Sequence, residues 1–163
     1  MAEAKVKAPE ELNLEQKVTV KNIAGWPVGF ARIDGVGDVS ITAEGSTRLS
    51  RNEIISQVQN GNRLFIGIDG KGSHATIFID DAPTRKEVGF DSEDGTEEQI
   101  VFTDALVTKV FSIKTKASFE KGFTEAFKTR AEKFAVIQAI KRLKINDYSK
   151  IRFAEDYTGY KVQ

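Results

Sequence analysis

From Lys17 onward the apolar positions fall into short alternating sets, Val18 and Val20, then Val28, Phe30 and Ile33, then Val39 and Ile41. Gly25, Pro27, Gly35, Gly37 and Gly45 lie between or just after them. A period of two puts every other side chain on one face of a strand, and glycine and proline mark the turns. The pattern predicts an antiparallel β-meander or small barrel. At Ser50-Arg-Asn-Glu53 the texture changes to a capping box followed by Ile54, Ile55 and Val58 at helical spacing, closed by Asn60-Gly61. One short helix is therefore inserted among the strands. Leu64–Ile68 and Ala75–Ile79, flanking Asp69-Gly-Lys-Gly-Ser73, have the composition of a hairpin pair.

The acidic run Asp91–Glu98 predicts an exposed loop. Beyond it, Ile100–Phe102 and Val107–Ile113 are β-branched and aromatic enough for two more strands, with a helix over Asp104–Phe111 as the alternative. From Ser118 the spacing is helical. Ser118 is expected to cap Phe119–Phe127, and Thr129-Arg-Ala-Glu132 is a capping box that opens a longer helix to about Ile145. A last short helix, or a turn and strand, covers Tyr148–Tyr157 before Thr158-Gly159. The expected class is α+β, divided into an N-terminal arm (1–16), a β-rich domain (17–90), an acidic loop (91–98) and a strand pair with a helical C-terminal region (99–163). The arm is rich in Ala, Glu and Lys and is expected to be mobile unless it docks.

Charge adds information that the apolar pattern does not carry. The chain is formally neutral, yet residues 1–104 carry 11 basic against 18 acidic side chains, a net of −7, and the remainder carries 13 against 6, a net of +7. A molecule polarised in this way is suited to sitting between unlike neighbours or to packing head-to-tail. With no cysteine there is no disulfide framework and no thiol nucleophile, and a single histidine, His74, leaves no multi-histidine metal site. No run approaches the roughly 18 apolar residues of a membrane span, and Met1–Leu14 lacks the apolar core of a signal peptide.

Several motifs fail on context. Gly67-x-x-Gly70-x-Gly72 leads toward a strand, where a phosphate loop needs a helix. Ser73 and His74, adjacent on one strand, point to opposite faces and do not form a nucleophile–base pair. Asp91–Glu98 has its glycine fifth and Phe102 twelfth, which breaks the EF-hand pattern. No catalytic residue, metal ligand or cofactor is assigned.

The candidate surface is basic and aromatic. Arg130, Lys133, Lys141 and Lys144 share one helical stripe at offsets 0, 3, 11 and 14, with Ile137 at its centre. Tyr148, Lys150, Arg152 and Tyr157 interleave aromatic and basic groups, as single-strand stacking platforms and protein-interface anchors both do. Under the assembly reading Ile137 serves as an apolar anchor ringed by charge, provided that its side chain is exposed; a core position for Ile137 is the alternative and breaks the stripe.

Val28-Gly-Phe-Ala-Arg, Gly37-Asp-Val-Ser-Ile, Asn62-Arg-Leu-Phe-Ile-Gly and Gly72-Ser-His-Ala-Thr-Ile-Phe-Ile, joined to a charged helical tail, resemble small virion proteins of tailed bacteriophages. The resemblance covers Lys17–Asp80 and transfers no site residues. It implies a head, neck or tail component that works by assembly, located in the virion or in host cytoplasm during assembly. The expected function is that of a noncatalytic structural or adaptor protein and homo-oligomer, contacting other virion or assembly proteins and no membrane. A nucleic-acid-binding protein using the basic C-terminal region is the alternative.

Overall fold

A computed structural model describes residues 12–94, 96 and 102–162. In chain order the first lobe contains β1 (Lys17–Asn22), β2 (Val28–Ala31), β3 (Asp38–Ile41), β4 (Ser46–Ser50), α1 (Arg51–Gln59), α2 (Arg63–Ile66), β5 (Ile77–Asp80) and α3 (Ala82–Glu87). The second holds α4 (Asp104–Phe111), α5 (Lys116–Ala126), α6 (Arg130–Arg142) and α7 (Tyr148–Thr158). The fold is α+β, with antiparallel strands first and helices dominating the C-terminal part.

β1 buries alternate residues and takes the middle of a three-stranded sheet in the order β4-β1-β5. Val18 stands opposite Leu49 and Val20 opposite Ile79, so one face of the sheet is apolar. β2 and β3 form a separate hairpin, with Val28 opposite Ile41 and Phe30 opposite Val39. Both sheets close over Ile54 of α1 and Phe65 of α2, which are fully buried. Ser50 caps α1 by accepting the Glu53 N–H at 3.1 Å, as its spacing predicts.

The second core is aromatic. Phe123 lies edge-on to Phe111, Phe127, Phe153 and Tyr157, with ring centroids 4.8–6.0 Å apart. Such contacts fix ring orientation as well as burying area. Thr129 and Glu132 form the reciprocal capping box of α6, and Gly159, at φ 78°, ends α7 in the left-handed region that favours glycine.

Two local expectations are corrected and one alternative is decided. Leu64–Ile68 does not pair with Ala75–Ile79: Asn62 caps α2 by accepting the Leu64 N–H at 3.0 Å, and the chain then turns at Gly67. At Gly67 φ is +70° and a Cβ would lie 2.1 Å from the Ser73 carbonyl oxygen, so only glycine closes that loop. β5 takes β1 as its partner because Ile77 and Ile79 alternate toward the same core. Of the two alternatives for Val107–Ile113, the helix over Asp104–Phe111 forms and the strand does not. Thr103 accepts the Leu106 N–H, Asp104 favours the positive N-terminus, and Val107 and Val110, three apart, share the buried face of α4. Finally, α5 starts at Lys116 with Thr115 as its cap residue, three residues before the expected Ser118.

The arm over residues 1–11, residues 95, 97 and 98 of the acidic loop, and 100–101 of the expected strand lie outside the described residues. Residues 13–16 are docked: Arg51 donates its backbone N–H to Gln16 O at 3.0 Å, and Asn52 donates to Leu14 O at 2.8 Å.

Candidate functional site

The buried charges are ties between elements. Arg51, at the start of α1, donates to Asp81 at 3.0 Å and to Gln16 Oε1 at 3.1 Å, joining the arm, α1 and the cap of α3. Burial pushes the Asp81 carboxyl up, but hydrogen bonds from Arg51 and Thr84 and the Arg51 charge overcome it and hold the group below the ordinary aspartate range. Arg85 spans Asp91 at 2.9 Å and the Ile79 carbonyl at 2.7 Å. Asp91, expected in a solvated loop, is buried. Asp94 remains exposed, and hydrogen bonds from Thr96 and Ser92 lower its carboxyl to about 2.

A histidine–carboxylate contact joins the two lobes. His74 sits at φ 60° in the turn before β5, and its Nδ1 lies 2.9 Å from both carboxylate oxygens of Glu132. Both side chains are buried, at 9% and 1% exposure. Glu132 Oε1 also accepts the backbone N–H groups of Lys128 and Thr129. Its capping-box role is legible in the sequence; the long-range partner is not, because the sequence pattern puts His74 on a strand at a partly exposed position, whereas the structure places it in a turn. Beside this contact Trp26 meets Phe134 at 6.1 Å, edge to face, and Phe134 meets Tyr160 at 5.7 Å.

The basic stripe is divided by this packing. The Arg130 guanidinium lies 4.7 Å from the Trp26 ring centroid and donates to Tyr160 OH at 3.3 Å. Lys133 is 4.7 Å from the Tyr157 ring centroid, and Tyr157 stacks on Phe153. Ile137 is 1% exposed, a core residue, so the expectation of an exposed anchor there is corrected. Its neighbours Val136 and Ile140 are buried too, so the apolar face of α6 is wider than the stripe allows and includes position 137. Lys150 is spent inside the fold, donating to the carbonyls of Phe111 at 2.6 Å and Ile113 at 2.8 Å. Lys141, Lys144, Tyr148 and Arg152 are exposed, Tyr148 at 77%.

Two surface features were not singled out from the sequence. The first is the β2–β3 tip. Glu53, 1% exposed, accepts the Ile33 N–H at 2.9 Å and the Asp34 N–H at 2.8 Å. Gln57 donates to Ala31 O at 2.8 Å, and Arg32 N–H to Gly37 O at 2.9 Å. The loop is thus held from beneath while it presents Val36 at 97% exposure and Ile33 at 45%. The Gly35-Val36-Gly37 spacing is the signal in the sequence, and by itself it specifies only a turn.

The second feature is a cavity of about 290 Å³ between the N-terminal ends of α5 and α7, floored by Phe119 and Phe153 and rimmed by Lys114, Lys116, Ser149 and Lys150. The Thr115 side chain makes no cap bond, so the first N–H groups of α5 add to the positive potential there.

Among the described residues, no group of three or more His, Asp or Glu side chains is placed to hold a metal ion, and no helix is long and apolar enough to cross a membrane. No protein-family model, curated protein or solved structure matches this chain.

Proposed function

We propose that this chain is a noncatalytic structural or adaptor protein that works by assembly, with its oppositely charged lobes meeting unlike surfaces. The observation that carries the reading is the coincidence of charge with architecture. Asp104 opens α4 and so belongs with the helices; the division then becomes 11 basic against 17 acidic side chains before it and 13 against 7 from it onward, −6 and +6. Among the described residues the first lobe carries 9 basic against 12 acidic side chains, a net of −3, and the second 13 against 7, a net of +6. The polar groups set into the fold support the same reading, since His74, Glu132, Arg51, Asp81 and Glu53 are engaged in holding elements together. A component of a tailed-bacteriophage particle, in a head, neck or tail, is the setting that the sequence resemblance supports.

Sedimentation of the purified chain, alone and with duplex DNA, tests this. Assemblies that form without DNA and shrink as salt rises are expected, because attraction between exposed opposite charges is screened. A chain that stays monomeric alone and binds DNA with a steep salt dependence would instead establish the nucleic-acid reading.

A further inference from the structure

We propose that the β2–β3 tip of one copy of this chain seats Val36 and Ile33 in the α5–α7 cavity of a second copy, with Asp34 and Asp38 meeting Lys114 and Lys116. The inference rests on the assembly reading above and names the contact that would carry it. The tip is preorganised. Backbone N–H groups of Ile33 and Asp34 are fixed on the buried Glu53 carboxylate, so little further ordering is needed when Val36 is covered. A valine at 97% exposure on a held loop is an apolar group presented to solvent, and it stands two residues from Asp34 and two from Asp38.

The cavity is complementary in both respects. Phe153 supplies the apolar part of its floor, while Phe119, 2% exposed, lies beneath the Lys150 ammonium at 5.2 Å from its ring centroid; at about 290 Å³ the cavity has room for about ten water volumes, enough for Val36 and part of Ile33. Its lining carries three lysines against Glu120 and Asp147. Asp147 is already occupied, accepting from Ser149 Oγ at 3.1 Å and from the Lys150 N–H at 3.3 Å as the cap of α7. Lys150 is turned inward onto backbone carbonyls. Lys114 and Lys116 are exposed and stand against the single remaining carboxylate of Glu120, which leaves a net of one positive charge to meet incoming carboxylates.

The tip belongs to the first lobe and the cavity to the second. The contact proposed is the heterologous one, in which the second copy's own tip goes on to a third copy rather than back to the first: each copy offers one tip and one cavity, and the chain of contacts ends only when a ring closes. That geometry has a signature which a two-fold dimer lacks. Val36→Asp destroys the tip but keeps the cavity, and the double variant Lys114→Glu, Lys116→Glu destroys the cavity but keeps the tip. All three positions are exposed, and an unchanged melting temperature verifies that each variant is folded.

Sedimentation velocity of wild type, each variant, and an equimolar mixture of the two variants gives the test. Wild type is expected to form species larger than dimers. Each variant alone should associate about tenfold more weakly or worse, and the mixture should form a heterodimer that grows no further. Wild-type assembly unaffected by either variant overturns the tip-in-cavity contact while leaving assembly standing. A variant mixture that stays monomeric, or that rebuilds the full assembly, also overturns it. A wild-type chain that is monomeric throughout overturns both this contact and the assembly reading.

Discussion

His74 of the first lobe and Glu132 of the second are joined through Nδ1 at 2.9 Å, and Glu132 simultaneously completes the capping box that starts α6. One carboxylate thus serves a local helix signal and a contact between residues 58 apart. Replacing His74 by Ala leaves a carboxylate at 1% exposure with only its local donors. A loss of about 2 kcal/mol is expected, since a buried charged acceptor deprived of a partner costs more than the average hydrogen bond. Chemical denaturation measures it; a His74→Ala variant as stable as wild type would show that the contact ties nothing.

The same junction has a steric limit at Gly25. A Cβ there would lie 2.0 Å from the Phe134 ring, well inside contact distance, and the ring is itself held between Trp26 and Tyr160. Gly25→Ala is expected to destabilise by about 2 kcal/mol, in the range of overpacked cores. Adding Phe134→Leu should recover part of that loss. If the double variant is no better than the sum of the two singles, the positions are not in contact in solution.

How far these features could be read from sequence depends on the range of the interaction that decides them. Ser50 over α1 and Thr129 over α6 were legible because a cap is settled within four residues. The partner of β5 was not, because its alternating Ile77 and Ile79 fit either a local hairpin or the distant β1, and the choice was made by the cap at Asn62 and the turn at Gly67. Val107–Val110 is apolar enough for either secondary structure, and the helix prevails through Thr103 and packing on Phe123 and its neighbours. On the candidate stripe Lys141 and Lys144 are exposed while Ile137 is core, because a helix face wider than one stripe takes its inner residue inward.

Ile137 supplies a direct check on that correction. At 1% exposure, Ile137→Asp buries an unpaired charge and should unfold the helical lobe, while Ile137→Val should cost only about 1 kcal/mol. Circular dichroism reads both. A folded Ile137→Asp chain would place the side chain at the surface and return the stripe to consideration.

Acid should act through Asp81. Its carboxyl is held below the ordinary range by Arg51 and Thr84 against the effect of burial. A folded value below the unfolded one contributes stability that is complete above the unfolded value of about 3.9 and is lost as pH falls through the folded one. Arg51→Met should therefore cost about 3 kcal/mol at neutral pH, in the range for breaking a buried pair, and the gap to wild type should narrow below about pH 4. A gap that is independent of pH would show that Arg51 does not set the Asp81 carboxyl.

The most direct measurement of the central claim, that unlike lobes meet, is zero-length carbodiimide coupling of carboxylates to lysines in a mixture of isotopically light and heavy chains. Only links between copies join light to heavy peptides. The account predicts mixed links from acidic residues of the first lobe, Asp34 and Asp38 foremost, to lysines of the second, Lys114 and Lys116 foremost. Mixed links confined to one lobe, or links found only within a single copy, would contradict it.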